Sequence, residues 1–217
     1  MNEFARITSF VRSMAKEDAG KLGELYRDAI HRGVPVIRPE ARELLKTQIL
    51  IQKPKHVLEI GTAVGYSSIY MTGYLPKDAQ ITTLELSEAR ANEAKENIRL
   101  FGKEKHIQVI CGDAAETLKE LPDDTFEFAF VDAAKAQYIY YLPDVLRVLK
   151  KGGVIVSDNI LQEGEVLESH FLVEKRNRTI HDRMREYLDV LTHDERLETA
   201  ILPVGDGMAI SILLKNA

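Results

Sequence analysis

From His56 onward the chain alternates short, wholly apolar runs with stretches of helical periodicity, and few folds accommodate that order. The runs are HVLEI (56–60), QITTLEL (80–86), HIQVIC (106–111), FEFAFVD (126–132) and GVIVSD (153–158). A strand with one wet face alternates apolar and polar residues; runs that are apolar throughout suit a parallel sheet covered on both sides. The covers are the periodic stretches between them, from about Tyr66, over 88–101, near 114–121 and over 138–150. The ending departs from this rhythm. A long helix over about 170–193 leads to LETAILPV (197–204), Gly205-Asp206-Gly207 and MAISILL (208–214), which reads as an antiparallel hairpin.

Five βα units and a closing hairpin predict an α/β fold, a Rossmann-like, seven-stranded, doubly wound sheet, mostly parallel with an antiparallel C-terminal hairpin. N-terminal helices precede it. Ile7, Phe10, Val11 and Met14 recur at helical steps, as do Leu22, Leu25, Tyr26, Ala29 and Ile30; Gly33-Val34-Pro35 breaks the pattern, and Pro39 suits the first turn of a third helix running to about Ile51. With 217 residues the chain suits one well-buried domain, 1–217, divided into a helical region (1–53) and an α/β core (54–217). A single cysteine, Cys111, excludes an internal disulfide, and no apolar run approaches the roughly 20 residues of a membrane span. The expected location is the cytoplasm, with no membrane partner. A net charge of −5 argues against a surface coated for unspecific nucleic-acid binding.

The segment VLEIGTAVGYSS (57–68) is a strand, a glycine turn and a helix start, where a ligand can approach backbone N–H groups. In open α/β sheets ligands bind at the carboxyl ends of the strands. A dinucleotide fingerprint would be G-x-G-x-x-G; Gly61 and Gly65 frame G-x-x-x-G instead, which disfavours a pyrophosphate ligand and with it a dehydrogenase. Glu85 ends the second strand, where a carboxylate can take both ribose hydroxyls. A ribose without a phosphate cradle points to S-adenosylmethionine, with Ser67 or Ser68 for its carboxylate and Asp113, closing the third strand, for the adenine amino group. Gly61 and Gly65 alone would equally serve tight packing; acids at two successive strand ends favour the ligand.

Two more strands end in acids, at Asp132 and at Asp158-Asn159. Two carboxylates and an amide gathered on one rim suit a hard divalent cation, Mg²⁺ foremost, with positions left for water and substrate. Either site alone would be read as a helix cap. Lys135, in Asp-Ala-Ala-Lys, stands where a lysine can act as general base; a cation would lower its pKa and the carboxylates would raise it. Lys175, Arg176, Arg178, Arg183 and Arg185 make a basic run, either a solvated helix face or a phosphate-contacting patch, with Lys175, Arg176 and Arg178 the nucleic-acid candidates. His31, His181 and His193 are expected on helix surfaces and Cys111 in the core. Tyr138 stands where it could wall the pocket.

These segments resemble the metal-dependent O-methyltransferase family that includes catechol and caffeoyl-CoA O-methyltransferases, over essentially the whole chain. VLEIGTAVGYSS, the VDAAK segment and SDN carry the likeness. The resemblance implies metal ligands at Asp132, Asp158 and Asn159, with Asp132 and Lys135 the catalytic pair. It implies a cofactor site lined by Glu59, Gly61, Ser67, Glu85, Asp113, Ala114 and Asp132, with Val36 in a segment closing over the methionine end, and a homodimer. The GVP segment, VDAAKAQY, EKRNR and PVGDGMAIS look most similar to the bacterial tRNA 5-hydroxyuridine methyltransferases. The expected acceptor is therefore a hydroxyl beside a second chelating oxygen, as in 5-hydroxyuridine of tRNA or, alternatively, a small catechol or phenol. A non-catalytic nucleoside- or RNA-binding protein of the same fold is a further reading; it would be expected to have lost part of the metal rim, which is complete here.

Overall fold

The computed structural model describes residues 3–215, with side chains from residue 6 onward; Met1, Asn2, Asn216 and Ala217 of the expected 1–217 domain lie outside the described residues. Three helices open the chain: α1 (Glu3–Met14), α2 (Gly20–His31) and α3 (Pro39–Gln52). Then come β1 (His56–Ile60), α4 (Tyr66–Met71), β2 (Gln80–Glu85), α5 (Glu88–Leu100), β3 (Ile107–Cys111), α6 (Ala114–Glu120), β4 (Phe126–Val131) and α7 (Tyr138–Val148). β5 (Leu149–Asp158), α8 (Arg178–His193), β6 (Leu197–Leu202) and β7 (Met208–Leu213) complete it. The seven strands lie in the order β3-β2-β1-β4-β5-β7-β6, with β1 to β5 parallel and β7 antiparallel to both its neighbours.

β1, β4 and the second half of β5 bury both faces, as expected, whereas β3, at the edge of the sheet, buries only Ile107. Along β4, Phe128 and Phe130 enter one core with residues of α2 to α5, whereas Ala129 and Val131 enter the other with α6 to α8. Successive side chains of a strand point to opposite faces, so each strand feeds both cores. Local signals set the helix ends. Pro39 occupies the first turn of α3, Lys53 closes it in a left-handed conformation (φ 49°), and Pro54 follows.

Two boundaries differ from the sequence expectation. β5 starts at Leu149 rather than Gly153, directly after α7. α8 starts at Arg178, not near 170, because residues 170–177 are turns and bends stapled by side chains rather than helical hydrogen bonds. Two residues were also misplaced: Cys111 is exposed at the end of β3, and His181 is buried at 1% exposure.

A buried charge knits the N-terminal helices to the core. The Arg42 guanidinium, from α3, donates to Asp18, to the Lys16 carbonyl and to the Tyr66 hydroxyl (2.8 Å), and lies over the Tyr70 ring at 5.1 Å. Arg12 forks onto Glu40 through Nε (3.0 Å) and Nη2 (2.8 Å), fixing α1 on α3. A second polar knot sits inside the sheet. Glu59 is wholly buried in β1, with Oε2 accepting the Ser68 and Thr83 hydroxyls; Thr83 in turn accepts from Thr62 (2.6 Å). Expected to line the cofactor site, Glu59 lies behind the cleft wall instead, joining β1, β2 and α4 from within. Burial pushes its carboxyl up to about 7, against the pull of its hydroxyl donors.

Arg42→Ala leaves Asp18 buried without its cation and is expected to lower the unfolding free energy by about 3–5 kcal/mol in denaturant titrations. A change under about 1 kcal/mol would show that the segment carrying Lys16 and Asp18 is held by something else. Glu59→Gln gives a pH-dependent result. The folded carboxyl titrates near 7 and the unfolded one near 4.5, so its contribution is intact below 4.5 and is lost as pH rises through 7. The variant should gain on the parent by roughly 3 kcal/mol between pH 4.5 and 8; a pH-independent difference would refute the assignment.

Candidate active site

The carboxyl ends of the five parallel strands meet a cleft of about 1240 Å³. It opens at the point where strand order reverses, between β1 and β4, the usual ligand position in such sheets. The glycine turn after β1 crosses the end of β4 closely. Gly61 has φ 104°, and a Cβ there would lie 2.0 Å from the Asp132 carbonyl oxygen, so any other residue would drive the two chains apart. Ala63 is also left-handed (φ 47°), and Gly65 (φ 81°) heads α4. Glu85 fixes the turn: its Oε2 accepts the Ala63 N–H at 2.9 Å and its Oε1 the Ser87 N–H at 2.9 Å.

Val36, Gly61, Ser67, Glu85, Ala114 and Asp132 all line the cleft. Asp113 does not. It is exposed and caps α6, accepting the Ala115 N–H at 2.9 Å, because a short polar residue before a helix finds its nearest donors there. Tyr138 is buried beneath the floor rather than walling the pocket. Its hydroxyl accepts the Ala133 N–H (3.2 Å) and faces the carbonyls of Val131 (3.3 Å) and Asp158 (3.1 Å), clasping the ends of β4 and β5 together.

That clasp brings Asp132, Asp158 and Asn159 to one place. Asn159 Nδ2 donates to Asp132 Oδ1 at 3.0 Å, and the Asn159 N–H donates to Asp158 Oδ1 at 2.7 Å. Asn159 sits at φ 58°, a conformation asparagine tolerates better than most residues. Asp158 is 1% exposed, yet its Oδ2 has no hydrogen-bond partner. Burial and the neighbouring Asp132 charge raise the Asp158 carboxyl above the usual range, and burial raises Asp132. Two desolvated carboxylates, one with an orphaned oxygen, are poorly accommodated without a positive charge. Oxygen-only donors fit a hard divalent cation and leave no role for zinc. Lys135, in a short 3₁₀ turn (Lys135–Gln137), lines the cleft beside this rim.

Beyond the rim the cleft continues between Arg38, Gln162, Glu165, Asn177 and Asp206. Sequence reasoning missed these residues, which lie in loops or irregular turns with no periodicity to reveal them. Asn177 Nδ2 holds Glu165 at 2.8 and 3.1 Å. The basic run is largely spent on internal contacts. Arg178 donates to the Val173 carbonyl (3.2 Å), Arg183 to that of Ala136 (3.3 Å) while covering Tyr140, and Arg185 to that of Val166 (3.4 Å). Lys175 and Arg176 are exposed, Arg176 paired with Glu174 at 2.8 Å. Arg178 is therefore a loop strut, not a freely presented cation. Among the described residues no helix is long and apolar enough to cross a membrane.

Known proteins resemble this chain in sequence and in fold. A family model described as O-methyltransferase matches residues 12–214. A catechol O-methyltransferase of Niastella koreensis is 32% identical over 83% of this chain and 84% of its own. A caffeoyl-CoA O-methyltransferase of Stellaria longipes is 33% identical over 78% and 73%. The crystal structure of an O-methyltransferase from Bacillus cereus in complex with SAH superposes with a TM-score of 0.83 at 25% identity, covering 96% of this chain and 97% of that one. With nearly every described residue inside the matched span, this chain belongs to the O-methyltransferase family.

Proposed function

We propose that the protein transfers the methyl group of S-adenosylmethionine to a hydroxyl that sits beside a second chelating oxygen, with Mg²⁺ or a similar divalent cation. The observation that carries this reading is the orphaned, buried Asp158 Oδ2, which lies behind Asn159 and close enough to Asp132 to feel its charge, while Asp132 and Asn159 line the cleft beside the glycine turn. In this reading Asp132, Asp158 and Asn159 hold the cation, which supplies electrostatic stabilisation to an acceptor oxygen losing its proton. Glu85 takes the ribose hydroxyls, Gly61 and Ala63 let the adenosyl group approach the backbone, and Ser67, beside Val36, meets the methionine end. Lys135 removes the acceptor proton at its Nζ. S-adenosylmethionine held in the cleft would supply the methyl group, its C–S bond breaking as the acceptor's C–O bond forms and S-adenosylhomocysteine being left. Because the reactants carry the bonds that change, the protein's contribution is placement.

For the acceptor we favour 5-hydroxyuridine of tRNA, whose 5-hydroxyl and 4-carbonyl form such an oxygen pair. Support comes from the polar far end of the cleft, where Arg38, Gln162, Glu165 and Asn177 offer hydrogen bonds suited to a nucleobase rather than an apolar slot. The exposed Lys175 and Arg176 would meet phosphates. A small catechol or phenol is the second reading, favoured by the relatives' names. The protein would act in the cytoplasm as one domain per chain. It would pair as a homodimer through α1, whose Phe10 and Met14 are each 65% exposed.

Three measurements test this. Incubation with labelled cofactor, Mg²⁺ and either hypomodified tRNA or a catechol panel should label the tRNA; label on catechols alone would overturn the acceptor assignment. Asp158→Ala should remain folded and lose methyl transfer by about 100-fold or more, whereas full activity would refute the metal rim. Glu85→Ala should weaken cofactor binding by about 1–3 kcal/mol in calorimetry; unchanged affinity would remove Glu85 from the ribose role.

A further inference from the structure

Outside the cleft, three side chains converge that the methyl-transfer reading does not use. His170 lies in the turn that precedes α8, and His181 and Asp182 lie in the first turns of that helix. Asp182 Oδ1 is 2.8 Å from His170 Nδ1 and 3.0 Å from His181 Nδ1, and the three atoms all lie within 4.8 Å of one another. Adjacent residues on a helix do not normally face each other. His181 and Asp182 nonetheless turn towards a common point beside His170.

The protonation pattern at this point is informative. His181 is 1% exposed, and its Nε2 is 3.1 Å from the Glu168 carbonyl oxygen. A carbonyl only accepts, so Nε2 carries the hydrogen. In the neutral ring Nδ1 is then a lone pair, and it is aimed at a carboxylate oxygen. Two acceptors at this distance, one buried, call for a cation between them. An imidazole that donates one N–H to a backbone carbonyl and turns its other nitrogen to the open side is the arrangement by which proteins orient a metal-ligating histidine.

We propose that His170, His181 and Asp182 form a site for a borderline transition-metal dication of the Zn²⁺ class, separate from the Asp132 rim. Two imidazole nitrogens and one carboxylate oxygen suit such an ion and not Mg²⁺. Ligand atoms about 2.0–2.1 Å from a tetrahedral ion stand roughly 3.3 Å apart, so the two Asp182 spacings need only a small expansion, and the two histidine ligand atoms already lie within 4.8 Å of each other. The part-exposed His170 and Asp182 give access from solvent, which would supply the fourth position. The ion would tie His170 to α8 across residues 171–180. That span contains Asn177, which holds Glu165 at the polar end of the cleft, so occupancy would stiffen one wall of the acceptor region. The site stands on its own geometry and does not depend on the reaction assigned above.

The test is a Co²⁺ titration of the full chain in excess Mg²⁺, which fills the oxygen-donor rim. The expected result is a saturable visible absorption of tetrahedral Co²⁺, one ion per chain, displaced by one equivalent of Zn²⁺. His170→Gln should weaken Co²⁺ binding by about tenfold or more, with a metal-free melting temperature matching the parent's, while Asp158→Ala should retain the signal. Absence of a saturable signal would overturn the proposal. So would a signal that survives in His170→Gln, or one lost in Asp158→Ala. A histidine proton titration in which His181 simply takes up a second proton, unaffected by Zn²⁺, would identify the cation as H⁺ and equally overturn it.

Discussion

The close crossing of the β1 turn over the end of β4 is the contact on which the cleft depends. At Gly61 a side chain would lie 2.0 Å from the Asp132 carbonyl oxygen, so glycine is required for the two chain segments to pass. The Asp132 N–H in turn donates to the Ile60 carbonyl at 2.9 Å, which locks the crossing. The residue that would hold the adenosyl group and the residue that would hold the cation are thereby neighbours through backbone rather than through flexible side chains. Placement of that kind is cheap to maintain during a reaction, because rigid strand ends have little freedom to lose.

Around this crossing the fold tolerates an unusual amount of buried charge, and it does so in two distinct ways. Arg42 with Asp18, and Arg12 with Glu40, are paired within the chain, and their work is to hold α1 to α3 on the sheet. Asp158 and Glu59 are not fully paired: each keeps one buried oxygen without a donor. For Glu59 the effect is a carboxyl titrating near neutrality behind the cleft wall. For Asp158 the second acid, Asp132, adds repulsion, which the proposed cation would relieve.

How much of this was legible in the sequence follows from which physical signal each residue carries. Strands such as FAFV announce themselves because both faces must be apolar, and Gly61, Glu85, Asp132 and Asp158 stand at strand ends where topology alone gathers them. Asp113 looked equivalent to Glu85 by the same rule, yet the N–H of Ala115 is its nearest donor and claims it as a cap. Glu59 sits mid-strand, where the alternation of faces points it into the sheet interior; the burial of both faces hid that from pattern reading. His181 fell on the helix face that packs on the 166–173 segment, a contact no local periodicity could reveal. Arg38, Glu165 and Asn177 lie at irregular loop and turn positions, where spacing carries no information.

The segment between β5 and α8 explains why sequence expectation and structure part company there. Read as helix, it would have presented the basic residues of 175–185 as one solvated face. Instead the backbone from Val166 to Val173 leaves carbonyls without helical partners, and Arg178 and Arg185 supply donors for them. Arginine suits this task because its fork of donors can reach two carbonyls at once. The charges that would have argued for a broad phosphate-binding surface are thus largely consumed in holding an irregular wall in place. Glu165 and Asn177, the polar side chains this wall carries to the cleft, are thus positioned by a stretch of chain held through side-chain to backbone bonds as well as by the buried Val166 and Val173, and the acceptor proposed above would meet that stretch.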